Sequence, residues 1–157
     1  MRPVADLRIS ASASVLDAKY TEWLNAPLFQ YAPNGFGLIR TVFDASGRTM
    51  SNAPKLSATL SASYVVHSGF GNVEFSASDS YVSKYFNTVD HLQASQARHL
   101  LGASVKLTSL DERWSVQLWG NNLTNKKYFD VIAPNAYQNR ANPGAPRTYG
   151  VTATANF

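Results

Sequence analysis

Residues 55–81 read KLSATLSASYVVHSGFGNVEFSASDSY. From Lys55 to Val66 the apolar set is Leu56, Ala58, Leu60, Ala62, Tyr64 and Val66. It stands against Lys55, Ser57, Thr59, Ser61 and Ser63, and only Val65 breaks the polar set. From Asn72 to Tyr81, Val73, Phe75, Ala77 and Tyr81 oppose Asn72, Glu74, Ser76, Ser78 and Ser80, with Asp79 a misfit on the apolar side. A period of two puts each set on one face of a β-strand. Only a few residues around His67, Ser68 and Gly69 separate the runs, which predicts a tight hairpin.

The same alternation extends in both directions. Upstream, Leu7, Ile9, Ala11, Ala13 and Val15 alternate with Asp6, Arg8, Ser10, Ser12 and Ser14. Downstream, Leu101, Ala103, Val105 and Leu107 alternate within residues 97–108, and Trp114, Val116 and Leu118 within 113–122. Tyr149, Val151, Ala153, Ala155 and Phe157 then close the chain. A short helix capped by Asp90 is an alternative start to the fourth of these segments. A second tight turn is expected at residues 109–112, whereas long links span 16–54, 82–96 and 123–147. Turns that are short at one end of the strands and long at the other are the arrangement of outer-membrane barrels, with periplasmic turns and extracellular loops. Tyr64, Phe70, Trp114 and Phe157 fall at the short-turn end and Tyr20, Tyr81 and Tyr149 at the other, as two interfacial girdles would. The expected fold class is therefore all-β: an antiparallel transmembrane β-barrel segment of about six strands, an incomplete barrel.

Composition agrees with an apolar surround. Apolar residues make up 45% of the 157 and charged residues 15%. A soluble domain carries roughly 25% charged residues, so something other than charge covers this surface. The apolar faces are thin, with Ala11, Ala13, Ala58, Ala62, Ala77, Ala103, Ala153 and Ala155 among them. That would make a shallow core for a soluble domain, but lipid demands no interlocking. The net charge of +4 is spread along the chain without a basic stripe, so no nucleic acid is expected as partner. The absence of cysteine excludes disulfides, thiolate metal sites and cysteine nucleophiles. No run of about 18 apolar residues offers a transmembrane helix, which leaves strands as the only way across a membrane. His67, His91 and His99 lack the spacing of a metal site, and no serine stands in a G-x-S-x-G frame. No metal, cofactor or enzymatic activity is expected.

Three stretches carry a family resemblance. WSVQLWGNNLTNKKYFD, residues 114–130, resembles the penultimate strand and following loop of TonB-dependent outer-membrane receptors, in which Asn122, Leu123 and Tyr128 match a recurring N-L-x-x-K-x-Y phrase. PGAPRTYGVTATANF, residues 143–157, resembles their last strand, with Pro143, Gly144, Pro146, Arg147 and Tyr149 matching the lead-in and Phe157 the terminal aromatic. SGRTMSNAPKLSATLSASY is similar to the lead-in of an earlier barrel strand. The resemblance covers most of residues 5–157 and implies a barrel of about 22 strands with a plugged lumen, of which this chain is the C-terminal part. Signal peptide, TonB box and plug are not found in it; residues 1–10 carry Asp6 and Arg8 where a signal peptide needs an apolar run.

By that resemblance the chain belongs to a transporter that takes up a scarce nutrient of the siderophore-iron, haem, cobalamin or glycan class. Its place is the outer membrane of a Gram-negative bacterium, and it does not work alone. Implied partners are the membrane with its lipopolysaccharide, the assembly machinery reading Phe157 in the C-terminal strand, the TonB complex through N-terminal regions, and a small ligand such as a metal chelate. Exposed aromatics beside cations suit such a ligand. The loop candidates are Trp23, Tyr31, Phe36, Tyr137 and Arg140, with Phe129, Lys126 and Lys127 in the same last loop. Turn chemistry alone accounts for Asn121, Asn122 and Asn125, and for Pro143, Gly144 and Pro146 before the last strand. Two other readings remain open at this level: a small autonomous pore or adhesin barrel, drawing extra strands from residues 24–53, and a soluble β-sandwich that binds carbohydrate or protein.

Overall fold

The computed structural model describes residues 6–134 and 139–157. It contains twelve strands: β1 Leu7–Val15, β2 Ala26–Tyr31, β3 Leu38–Phe43, β4 Leu56–Ser68, β5 Gly71–Val82 and β6 Tyr85–Phe86, then β7 Ala94–Ser95, β8 Arg98–Ser109, β9 Trp114–Asn121, β10 Phe129–Pro134, β11 Asn139–Pro143 and β12 Thr148–Ala155. The six segments of strict alternation supply one antiparallel sheet in the order β1-β4-β5-β8-β9-β12. Its neighbours are sequence neighbours among the long strands, as in an up-and-down barrel wall. Strands β1 and β12 are its two edges, and no second sheet of comparable size lies against either face among the described residues. Neither a closed small barrel nor a two-sheet sandwich is formed by these strands.

Register carries the alternation across the whole sheet. One apolar row runs Leu7, Tyr64, Phe75, Val105, Leu118 and Val151; the next runs Ile9, Ala62, Ala77, Ala103, Gly120 and Tyr149. Between them lies a polar row of Arg8, Ser63, Ser76, Ser104, Trp119 and Gly150. A slip of one residue in any pairing would turn that strand's apolar set to the opposite face.

On the central strands the faces are covered in the reverse of soluble order. Leu118 is 56% exposed and Val151 66%, while Ser63, Ser76, Ser104 and Gln117 on the polar face are half-buried. No large side chain is fully buried among the described residues, and the buried apolar residues are Ala26, Ala45 and Tyr85, outside the sheet. The chain exposes 10750 Å² for 17.2 kDa, against roughly 7,800 Å² for a soluble domain of that mass. Apolar burial within the chain does little to stabilise this sheet in water; an apolar surround can, because the backbone is paired throughout the sheet except along the outer edges of β1 and β12.

At one end the connections are tight. Ser68 pairs with Gly71 across Gly69 and Phe70, and the Ser68 hydroxyl donates to the Gly71 carbonyl at 2.6 Å. Gly71 has φ +152° and lies so close to the Thr108 carbonyl that a Cβ would stand 2.3 Å from its oxygen. In the turn from β8 to β9 the buried Ser109 hydroxyl donates to Asp111 at 2.7 Å, which, with the backbone N–H of Arg113, holds the Asp111 carboxyl below the usual carboxylate range.

At the other end the three long links fold into hairpins of their own, β2–β3, β6–β7 and β10–β11. The helix considered at Asp90 does not form. His91 has φ +64°, outside the right-handed helical region, and the Asp90 carboxylate instead accepts from Thr88 and from the Leu92 N–H inside a turn.

Candidate functional site

The rim at the hairpin end is joined by polar contacts that alternation could not disclose. Arg48 Nη1 donates to the Asp90 carbonyl at 2.9 Å, and His91 Nε2 lies 2.9 Å from the Thr49 carbonyl. The Asn52 N–H donates to Phe86 at 2.7 Å and the Asn87 side chain to Asn52 Oδ1 at 3.3 Å. These four contacts tie the first link to the second. The buried Ser95 hydroxyl, 3.0 Å from Asn87 Oδ1, also reaches the Phe129 carbonyl at 3.5 Å and so ties the second to the third.

Arg98, the first residue of β8, sits at the junction. Its guanidinium carbon is 4.7 Å from the centre of the Tyr128 ring and 5.8 Å from that of Tyr85, one ring from the third link and one from the second. Such cation–π contacts hold both aromatics without a hydrogen bond.

The resemblance motif forms the floor of the third link. Asn122 is buried, with φ +48°, where asparagine is tolerated better than branched residues. Its Nδ2 donates to the Lys126 carbonyl at 2.9 Å and the Ala145 carbonyl at 3.0 Å, and its Oδ1 accepts from the Lys126 N–H at 2.8 Å. One side chain thus closes the loop after β9 and fastens it to the segment leading into β12. Leu123 folds onto Gly120, where a Cβ would come within 2.6 Å of it. Tyr128 lies on Gly144, whose added Cβ would meet the ring at 2.1 Å, and the Gly144 N–H donates to the Tyr128 carbonyl at 2.9 Å. Arg147 and Tyr149 are exposed at the start of β12, and Phe157 is fully exposed beyond its end.

A cleft of about 640 Å³ opens between β7 and this motif. Tyr128, Phe129, Ile132, Pro143 and Pro146 make it apolar, with Ser95, Gln96, Lys126 and Lys127 at its margin. Its size is that of a small-molecule site, and its lining suits a flat or aromatic body with anionic substituents.

Of the loop candidates, Trp23 is half-buried: its ring meets Tyr20 edge-on at 4.7 Å, and its backbone N–H donates to the Ser46 hydroxyl at 2.9 Å, so it braces the base of the first link. Tyr31 and Phe36 are 78% and 85% exposed at the tip of the β2–β3 hairpin, apart from the cleft lining. Arg140 is exposed on β11, in the same hairpin as the cleft residue Ile132, and Tyr137 lies outside the described residues. Ser95, Gln96 and Arg98 carry no sequence signal as site residues, because a serine, a glutamine and one arginine ahead of a strand read as ordinary solvated polar residues.

An antiparallel wall with one apolar face, short turns at one end and elaborated loops at the other is the fold of an outer-membrane β-barrel segment. Solved structures agree. The chain is similar to the ferric yersiniabactin uptake receptor FyuA from Yersinia pestis, with TM-score 0.77 and 14% identity over 99% of this chain and 22% of that one. It is also similar to the siderophore receptor PiuA from Acinetobacter baumannii, with TM-score 0.70 and 24% identity over 96% of this chain and 19% of that one. The ferric preacinetobactin receptor BauA from Acinetobacter baumannii matches with TM-score 0.53 and 19% identity, over 94% of this chain and 25% of that one. The chain therefore spans a quarter or less of the length of these receptors. No family model and no curated protein matches it.

Proposed function

We propose that this chain is the C-terminal part of the barrel of a TonB-dependent outer-membrane transporter, forming one sector of the wall and the rim above it. The observation that carries the reading is the reversal on the central strands, with Leu60 and Leu118 exposed while Ser63, Ser76, Ser104 and Gln117 on the opposite face are half-buried. The motif around Asn122 and Gly144 supports it, because a loop fastened in this way holds a binding rim in place. The cargo is a small molecule of the siderophore-iron, haem, cobalamin or glycan class, and the apolar, lysine-edged cleft favours an anionic chelate within that group. The membrane and its lipopolysaccharide surround the wall, the assembly machinery reads Phe157, and the TonB complex acts through regions outside this sector.

This chain has no cysteine, so a single cysteine placed in it adds no second label within this sector. Spin labels at Leu60, Leu118 and Val151 should collide with oxygen dissolved in lipid, and labels at Ser61, Gln117 and Thr152 with a water-soluble nickel chelate. Equal accessibility on the two faces in outer-membrane vesicles would sink the wall assignment. For the cargo, a strain without the protein should lose growth on one member of a panel of ferric siderophores, haem, cobalamin and glycans; growth on all of them would refute uptake.

A further inference from the structure

Arg98 is a cation without a counter-ion. No carboxylate among the described residues forms an ion pair with it, and its Nε and Nη1 atoms are buried without a hydrogen-bond partner. Two rings stand where acceptors would be, Tyr128 with its centre 4.7 Å from the guanidinium carbon and Tyr85 at 5.8 Å. A ring face attracts the charge, but it is a poor substitute for an oxygen acceptor. Buried donors of a charged group left in this state are destabilising. An apolar chain of similar length would fill the space between the rings without that loss.

The position of Arg98 gives the charge something to act on. Arg98 pairs with Val82 and Val82 with Ser57, which puts the arginine in the polar register, on the face opposite Leu60 and Leu118. Tyr128, packed on it, is a wall of the 640 Å³ cleft, whose margin carries Lys126 and Lys127 and whose lining includes no carboxylate. Arg98 is not itself part of that lining. A ligand resting against Tyr128 would lie about 8 Å from the guanidinium, the 4.7 Å to the ring plus one van der Waals contact. At about 8 Å each negative charge on the ligand gains roughly twofold in affinity in a water-like medium, and more where protein replaces water.

We infer that Arg98 selects the charge of what the cleft binds. It is a positioning residue that acts through Tyr128: it holds the ring as the cleft wall and sets a positive charge behind it, so that flat ligands are ranked by the number of negative charges they carry. An anion at the wall supplies the counter-charge that the free protein lacks. This rests on the reading of the cleft as the site of an anionic cargo.

The test uses the intact outer-membrane protein in detergent micelles and two probes built on one flat ring, benzoate with a single carboxylate and trimesate with three. Both are titrated at low ionic strength, where screening is weak. The unaltered protein should bind trimesate about tenfold more tightly than benzoate, the lysines and Arg98 acting together. Arg98→Met, which keeps a chain between the rings, should lower that ratio about fivefold while weakening benzoate only about twofold. Arg98→Lys keeps the charge and should hold the ratio near its original value. The melting temperature of Arg98→Met should be unchanged or raised, because the unpaired donors are gone.

An unchanged ratio in Arg98→Met overturns the assignment. So does an equal loss for both probes, which marks a displaced ring and not a removed charge. A lowered melting temperature shows that the two rings keep Arg98 for stability, and overturns it as well. Should Lys126→Glu with Lys127→Glu weaken trimesate while Arg98→Met leaves the ratio alone, the cleft reading stands and only the role of Arg98 falls. If neither probe binds, or no variant alters binding, both fall together.

Discussion

The sheet and the rim of this molecule are built on opposite principles. In the sheet the same pairing repeats from β1 to β12, and on its central strands large apolar side chains such as Leu60 and Leu118 stand exposed. In the rim nothing repeats. Here lie the buried apolar residues Ala26, Ala45 and Tyr85, the buried Asn87, Ser95 and Asn122, and the long-range hydrogen bonds that join one link to the next. A regular wall depends on what surrounds it, so its tolerance to substitution follows the solvent on each face. An irregular rim depends on particular contacts, so its tolerance follows partners.

The largest effect should come from charging the wall. Leu118→Arg, with Val105 and Val151 as its cross-strand neighbours, should cost about 2 to 4 kcal/mol of barrel stability, and Gln117→Arg on the polar face far less. Leu60→Arg should be milder than Leu118→Arg, because Asp79 stands directly across from position 60 and supplies a counter-charge. Refolding titrations into detergent or lipid rank the three, and equal losses at 117 and 118 would remove the distinction between faces.

In the rim, Asn122→Ala should cost about 2 kcal/mol, from unpaired carbonyls and from alanine at positive φ. Asn122→Gly, which keeps the backbone conformation and loses only the bonds, should cost about half of that. Were the two variants equally stable in thermal melts, backbone strain would have no share in the loss.

At the cleft the effect should be on binding and not on stability. Lys126→Glu with Lys127→Glu reverses the charge at its margin and should weaken an anionic chelate by about tenfold or more, near 1.4 kcal/mol. The amount of protein in the membrane should not change. Unaltered affinity in a cell-surface binding assay would move the recognition site away from this cleft.

The smallest effect is at the tight turns. The Asp111 carboxyl is held below its ordinary value in the folded chain, so its contribution to stability is complete above the unfolded value and is lost as pH falls through the folded one. A slight loss of stability below about pH 4 should therefore vanish in Asp111→Asn. An identical acid limb for both proteins in pH-dependent melts would show that the Ser109 contact does not stabilise the turn.

The sequence by itself determined the wall. Six runs of period two, two tight turns and three long links set strand number, order and facing, because strand geometry converts alternation into sidedness without help from distant residues. It also disclosed the misfit at Asp79 and the turn chemistry around Asn122 and Gly144. What it could not disclose was where those residues lead. His99 becomes the partner of Asp79 only when β5 and β8 pair in one register, and Tyr128 covers Gly144 only when the third link folds back on the start of β12. Likewise the long links read as loops apart from the extra strands that residues 24–53 offered, because hairpins β2–β3, β6–β7 and β10–β11 owe their places to contacts with one another and not to any period of their own. Local pattern suffices where each residue answers only to the medium it faces; the tertiary structure decides wherever a polar group must find one particular partner far along the chain.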